Sequence, residues 1–219
     1  MSVAILLPVL DRPAKIAPLL ANIRDATPEP HAVWFAASDR ATIREVLLAR
    51  VAGLHEDGLL IDEGRAYSQR INLLYRTTDD AYVFLGADDY RFHPGWLTAA
   101  LDCMARSFDD VGGVVVTNDL HNPAGTACLV ARCYIDEVGG SDIPGQVLHP
   151  GYSHNWCDSE LFGWASSRGR LAHCPESIVE HLHPAAGKGL DDDTYRLGLS
   201  SEARDRALFR SRHWMWGGS

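Results

Sequence analysis

The sequence predicts an α/β protein with a mostly parallel central sheet and helices on both faces. Three observations carry that prediction. Short apolar runs alternate with segments of helical period through the first 85 residues, in the order βαβαβαβ. The runs are nearly continuous in apolar residues, as strands covered on both faces are. Small polar and acidic residues recur where the runs end, at the edge where open α/β sheets bind ligands.

Residues 3–9 form an apolar run bounded by Pro8 and Pro13, which reads as a buried strand. Residues 14–24 space Ile16, Leu19, Leu20 and Ile23 as one face of a helix. HAVWFAASDR (31–40) is a second strand ending in Ser38 and Asp39, and 42–51 a second helix with Thr42 or Ser38 as its cap. GLLIDEG (58–64) is a third strand and turn, 67–76 a third helix and 81–85 a fourth strand. In the second half, 94–108 is a helix with Leu97, Leu101 and Met104 on one face, 111–119 a strand, and 125–140 a strand running into a short helix. Residues 141–155 are rich in Gly, Pro and His and have little period; they read as a long loop, a feature often functional in compact domains. Residues 156–169 are helical, and 170–174 and 178–183 read as two short strands. From Gly187 the chain is polar and charged, and the acidic triplet 191–193 reads as a solvated turn or a helix start.

At 219 residues and 46% hydrophobic the chain can bury a sizeable core as one domain. A net charge of −9 argues against a general binder of nucleic acid or acidic membrane, which needs a basic surface. The five cysteines are odd in number and form no CxxC pair, the pattern of reduced thiols in a cytosol-like compartment. The apolar N-terminal run lacks the basic flank of a signal peptide, and no run approaches the roughly 20 residues of a membrane span. A cytoplasmic protein with no membrane partner is expected.

Three clusters carry chemistry. YVFLGADDYRFHPGW (82–96) ends an apolar strand in Asp88 and Asp89. Adjacent carboxylates repel, and without a positive group beside them one tends to keep its proton. A hard divalent cation, Mn²⁺ or Mg²⁺, would supply that charge and complete its shell with water and phosphate oxygens. EHLHP (180–184) puts His181 and His183 on one face of a strand, where such a pair can hold metal or phosphate. CDSEL (157–161) starts a helix with Asp158 and Glu160; the helix dipole alone favours acids there, and a general base presented beside the long loop needs the same residues.

In this order the parts resemble a GT-A fold, family-2-like glycosyltransferase, a nucleotide-diphospho-sugar transferase. VAILLPVLDRP resembles the family's first strand with its Arg-Pro pair. AASD resembles the end of its second, and GRAYSQRINLLYRTTDDAYVFLGADDYRF the segment leading to its DxD-type motif. WCDSELFGWASSRG resembles the acidic "ED" helix, and IVEHLHP the late His-bearing strand. The resemblance covers about residues 1–185. It implies a single catalytic domain there, with 1–95 as the nucleotide-binding half, 96–185 as the acceptor half and 186–219 as a C-terminal extension. It implies that Pro8, Val9, Asp11 and Arg12 line the nucleotide pocket and that Asp39 accepts a hydrogen bond from the base. Arg65 or Arg70 would lie near the nucleotide or its phosphates, Asp88 at the ribose or sugar, and Asp89 on the metal, with His181 or His183 adding a ligand to the metal or the phosphates. Asp158 would be the catalytic base, or Glu160 if the alignment slips. Two positions depart from the family pattern: Ala87 where the motif has its first Asp, and Cys157 where "ED" has Glu.

The implied function is metal-dependent, inverting transfer of a sugar from a nucleoside-diphosphate donor, UDP first, then GDP and dTDP. The acceptor is a hydroxyl on a protein, small molecule, polymer or modified nucleic acid. The long loop would close over the donor, and Trp96, Tyr152 and Trp156 are candidates for stacking on a sugar. Two rivals use the same features: a non-catalytic nucleotide-sugar-binding protein of this fold, and a nucleotidyltransferase, whose usual Gly-rich loop after the first strand is missing from PVLDRPAKI.

Overall fold

A computed structural model describes residues 2–53, 58–64, 66–189 and 191–217. Strand β1 (Val3–Pro8) is buried along its whole length and sits inside the sheet, parallel to β2 (Ala32–Ala37) on one side and to β4 (Tyr82–Leu85) on the other. Strand β3 (Gly58–Ile61) extends the parallel set at one edge. Helices α1 (Ile16–Ala26), α2 (Arg40–Val51) and α3 (Tyr67–Thr77) make the crossovers. The α/β class expected from the alternation is the class observed.

Beyond β4 the sheet changes direction. Strand β5 (Tyr90–Phe92), helix α4 (Trp96–Ser107), strands β6 (Val114–Asn118) and β7 (Cys128–Ala131), helices α5 (Arg132–Glu137) and α6 (Cys157–Ser167), and strand β8 (Leu171–His181) follow in the chain. The eight strands lie in the order β3-β2-β1-β4-β7-β6-β8-β5, with β7 antiparallel to both neighbours and β5 antiparallel to β8. Residues 170–174 and 178–183, expected as two strands, are one strand broken by a bulge. Thr117 pairs with Cys174 but Asn118 with Ile178, so the Pro175 region is skipped in the register; Pro has no N–H to give a ladder. A last helix, α7 (Asp193–Arg212), occupies the charged tail.

The sheet is closed over an aromatic cluster. Phe84 of β4 and Phe92 of β5 meet the fully buried Trp96 ring at centroid distances of 4.7 and 4.9 Å, and the Trp96 indole N–H is satisfied by Thr27 Oγ1 at 2.9 Å. Trp96 and Tyr152, considered as sugar platforms, are therefore core residues. The long loop is packed as well: Val147, Leu148 and Tyr152 are buried, and the Asn72 amide of α3 accepts from the N–H groups of Val147 and Leu148 and donates to the Leu148 carbonyl at 2.7–3.0 Å. It is a fixed wall. All five cysteines are free thiols, with Cys133 alone exposed.

Arg70 of α3 holds the carboxyl ends of three strands. Its guanidinium donates to the Val9 carbonyl at 2.8 Å and to Ser38 Oγ at 2.9 Å, and its Nε lies 2.7 Å from Asp62 Oδ2. Removing one partner of a buried pair leaves an uncompensated charge. Arg70→Met is expected to lower unfolding free energy by about 3–5 kcal/mol, read from urea denaturation, and an unchanged midpoint would show that these strand ends hold together without it.

Candidate functional site

The carboxyl ends of β1 and β4 open into a cavity of about 760 Å³, walled on the far side by residues 153–158 and by α7. At its base lie Asp88 and Asp89, only 8% and 6% exposed. The positive group beside them is Arg12, from the turn after β1. Its Nη1 is 2.8 Å from Asp88 Oδ1 and 3.7 Å from Asp89 Oδ2, while Nε and Nη2 donate at 2.9 and 2.8 Å to the two oxygens of Asp192, the N-cap of α7. The cation expected from sequence is thus anticipated by a side chain in this structure. The guanidinium also stacks 4.1 Å from the Tyr195 ring centroid.

Asp89 has further partners. Its Oδ2 accepts from the Tyr195 hydroxyl at 2.7 Å and meets His181 Nε2 at 3.2 Å. Burial and the neighbouring Asp89 charge push Asp88 up to about 6 against the pull of Arg12. Burial acts the same way on Asp89, but the bonds from His181 and Tyr195 outweigh it and hold that carboxyl well below the ordinary range. His181 is raised in turn, its burial more than offset by Asp89. The His181 backbone N–H is fixed by Asp119 Oδ1 at 2.6 Å. His183 stacks edge-on against His181 and Tyr195, and its Nδ1 accepts from the Ala185 N–H at 3.1 Å.

The opposite wall begins at Trp156, which precedes α6 in the left-handed region at φ 68°, a conformation uncommon for a bulky residue. It is held there from below. Asp205 of α7, fully buried, accepts from three successive N–H groups, Ser153, His154 and Asn155, at 2.9–3.2 Å. Asp158 follows in the first turn of α6, half-buried and lining the cavity, and burial raises its carboxyl above the ordinary range. Glu160, two residues on, faces away. It is 1% exposed, outside the cavity lining, and takes the Tyr152 hydroxyl at 2.6 Å and the Arg212 guanidinium at 2.8 and 2.9 Å.

No family model and no curated protein matches the chain by sequence. Solved structures match it by shape. The mannosyltransferase PcManGT of Pyrobaculum calidifontis, solved with GDP-Man and Mn²⁺, superposes with a TM-score of 0.65 at 17% identity, over 92% of this chain and 68% of that one. Glucosyl-3-phosphoglycerate synthase of Mycobacterium tuberculosis, solved with Mn²⁺, UDP-glucose and phosphoglyceric acid, gives 0.64 at 12% identity, over 97% and 79%. TarS of S. aureus (residues 1–349), solved with UDP, gives 0.63 at 11% identity, over 82% and 59%. The fold is GT-A. At these identities the likeness is one of fold.

The GT-A frame gathers Pro8, Arg12, Arg70, Asp88, Asp89, Asp158, His181 and His183 around one cavity. Val9 is buried beside it, with its carbonyl on Arg70. Asp11 stands outside the lining at φ 51°, and Arg65 lies outside the described residues. Sequence reasoning missed Asp192, Tyr195 and Asp205; the acidic triplet carried the one available signal, since Asp192 caps the helix that brings the other two. Asp39, and not Thr42 or Ser38, is the N-cap of α2. Its Oδ1 accepts from the Thr42 N–H at 2.7 Å and its Oδ2 from the Asp11 N–H at 3.2 Å. Burial tends to raise Asp39, but these bonds outweigh it and its carboxyl titrates below its usual value.

A depressed carboxyl stabilises the fold above the unfolded value, about 3.9, and that contribution is lost as pH falls through the folded value. Asp39→Ala is expected to cost about 1 kcal/mol at pH 7. Asp39→Asn, which keeps an acceptor oxygen, is expected to cost less and to lose less stability than wild type on acidification below pH 4. Thermal melts across that range check both.

Proposed function

We propose that the chain is a metal-dependent, inverting glycosyltransferase that moves a sugar from a nucleoside-diphosphate donor to a hydroxyl acceptor, with 1–185 as the body of its catalytic domain, α7 completing the pocket, and the cytoplasm as its location. One observation carries the reading. A carboxylate raised by burial, Asp158, faces the same cavity as the Asp89–His181 pair at the strand ends. The GT-A neighbours, solved with GDP-Man or UDP-Glc and Mn²⁺, support a nucleotide-sugar donor. No helix among the described residues is long and apolar enough to cross a membrane.

The residues fit a divalent cation. Asp89 Oδ2 and His181 Nε2 already converge at 3.2 Å, and a carboxylate with an imidazole suits Mn²⁺. No group of three metal-ligating side chains forms among the described residues, so diphosphate oxygens and water would complete the shell. When bound, the cation supplies Lewis-acid stabilisation of the departing diphosphate. Tyr195 orients the Asp89 carboxylate, and Arg12 fixes Asp88 at the base of the cavity. In the reaction the acceptor oxygen bonds to the anomeric carbon as the bond to the diphosphate breaks. The electron pair leaves on the diphosphate, and the hydroxyl proton passes to Asp158, whose raised proton affinity suits a base. Attack from the face opposite the leaving group inverts the configuration.

One observation favours a second reading, a non-catalytic nucleotide-sugar-binding protein: Arg12 already neutralises the carboxylate pair without a metal.

Calorimetric titration of UDP, GDP and dTDP, each with and without Mn²⁺, separates the two. Binding that needs Mn²⁺, is abolished by EDTA and disappears in Asp89→Ala is the expected result, with UDP the tightest. Metal-independent binding would favour the second reading, and no binding of any nucleotide would overturn both. Asp158→Asn is expected to lower turnover by about 10²–10⁴-fold while leaving nucleotide affinity unchanged; equal turnover would remove it as the base.

A further inference from the structure

Three arginines among the described residues line the cavity, and two are fully engaged. Arg12 is held by Asp88 and Asp192, and Arg70 by Asp62. The third, Arg204 on α7, pairs with no carboxylate among the described residues. Its only bonds are long ones, 3.4 Å to Ser153 Oγ and 3.5 Å to the Gly151 carbonyl. On the same helix Arg196 pairs with Asp193 at 2.8 Å, Arg206 with Glu202 at 2.5 Å, and Arg212 with Asp142 and Glu160; Arg210 also lacks a carboxylate partner among the described residues, but it lies outside the cavity lining. Among the described arginines that line the cavity, Arg204 is the one without an acidic partner.

Its position says which substrate it serves. Arg204 and Tyr195 are nine residues apart on one helix, about 13.5 Å along its axis at 1.5 Å per residue. Tyr195 marks the Asp89 end, where the donor's diphosphate belongs. Arg204 therefore stands at the other end, against the segment that leads into Asp158. Ser153 Oγ, which accepts from Arg204, keeps its own hydrogen to donate, so the two groups together offer donors to a single anion.

We infer that the acceptor is a small anionic hydroxy compound, a hydroxy acid or a phosphate monoester. Arg204 and Ser153 hold its charge while its hydroxyl meets Asp158. The inference rests on the glycosyltransferase reading above and names the acceptor class for that site.

Glycerol, glycerate and glycerol phosphate share one skeleton and differ in charge. Their binding is measured by ligand-observed NMR, with and without UDP and Mn²⁺, on wild type, Arg204→Gln and Arg204→Lys. Wild type is expected to bind one or both anions and not glycerol; which anion binds tells carboxylate from phosphate. Arg204→Gln is expected to weaken anion binding by about tenfold or more, and Arg204→Lys by less. UDP affinity, titrated separately, is expected to be the same in all three proteins. Anion binding unchanged in Arg204→Gln, glycerol binding as tightly as the anions, or no anion binding under either condition would each overturn the acceptor assignment. Loss of UDP binding in wild type would instead overturn the donor reading, whatever the anions do.

Discussion

Two carboxylates at the end of a buried strand set the terms for this molecule. Asp88 and Asp89 are nearly closed off from water, and charges so placed are costly unless paired and hydrogen-bonded. Arg12 meets that requirement only because it is itself immobilised, by the forked contact with Asp192 and by the face of Tyr195. The partner of the partner thus comes from α7, so the last helix is tied to the first strand by charge. His181 answers Asp89 from β8 in the same way and is fixed through its backbone by Asp119. The geometry at the strand ends is the packing of one electrostatic problem.

The opposite wall of the cavity is built by a different device. Successive backbone N–H groups pointing one way make an anion-binding concavity, and the protein fills it with its own Asp205. That carboxylate sets the path of 153–155, the strained Trp156 and the first turn of α6. Further along, Arg212 secures Glu160 in the core. One helix therefore registers Asp158 against the Asp89–His181 pair.

The first four strands were legible because they are covered on both faces, which forces continuous apolar runs. The convergence of Asp89, His181 and Asp158 was legible because each stands at the end of such an element or the start of a helix. Asp158 and Glu160 could not be told apart by sequence, since both suit a helix's first turn. Two residues turn about 200° around a helix, so one faces the cavity and the other the core. The role of α7 was hidden for a related reason. Its attachments are carboxylates, hydroxyls and guanidinium groups, its one fully buried residue is Asp205, and Leu197 and Leu199 are exposed. A hydrophobic period has nothing to report in such a helix. Arg12 lies beside β1 in the chain, but its partners are 76 and 180 positions away.

Among the described residues no strand of the sheet extends beyond His181, yet the contact that steadies Arg12 spans 180 positions. Synthesis runs in that order. The core can form while α7 is still emerging from the ribosome, and the pocket is finished only when that helix docks. A chain whose sheet has formed before α7 docks has an unfinished pocket, and damage to α7 is expected to leave the sheet standing around a cavity without its far wall.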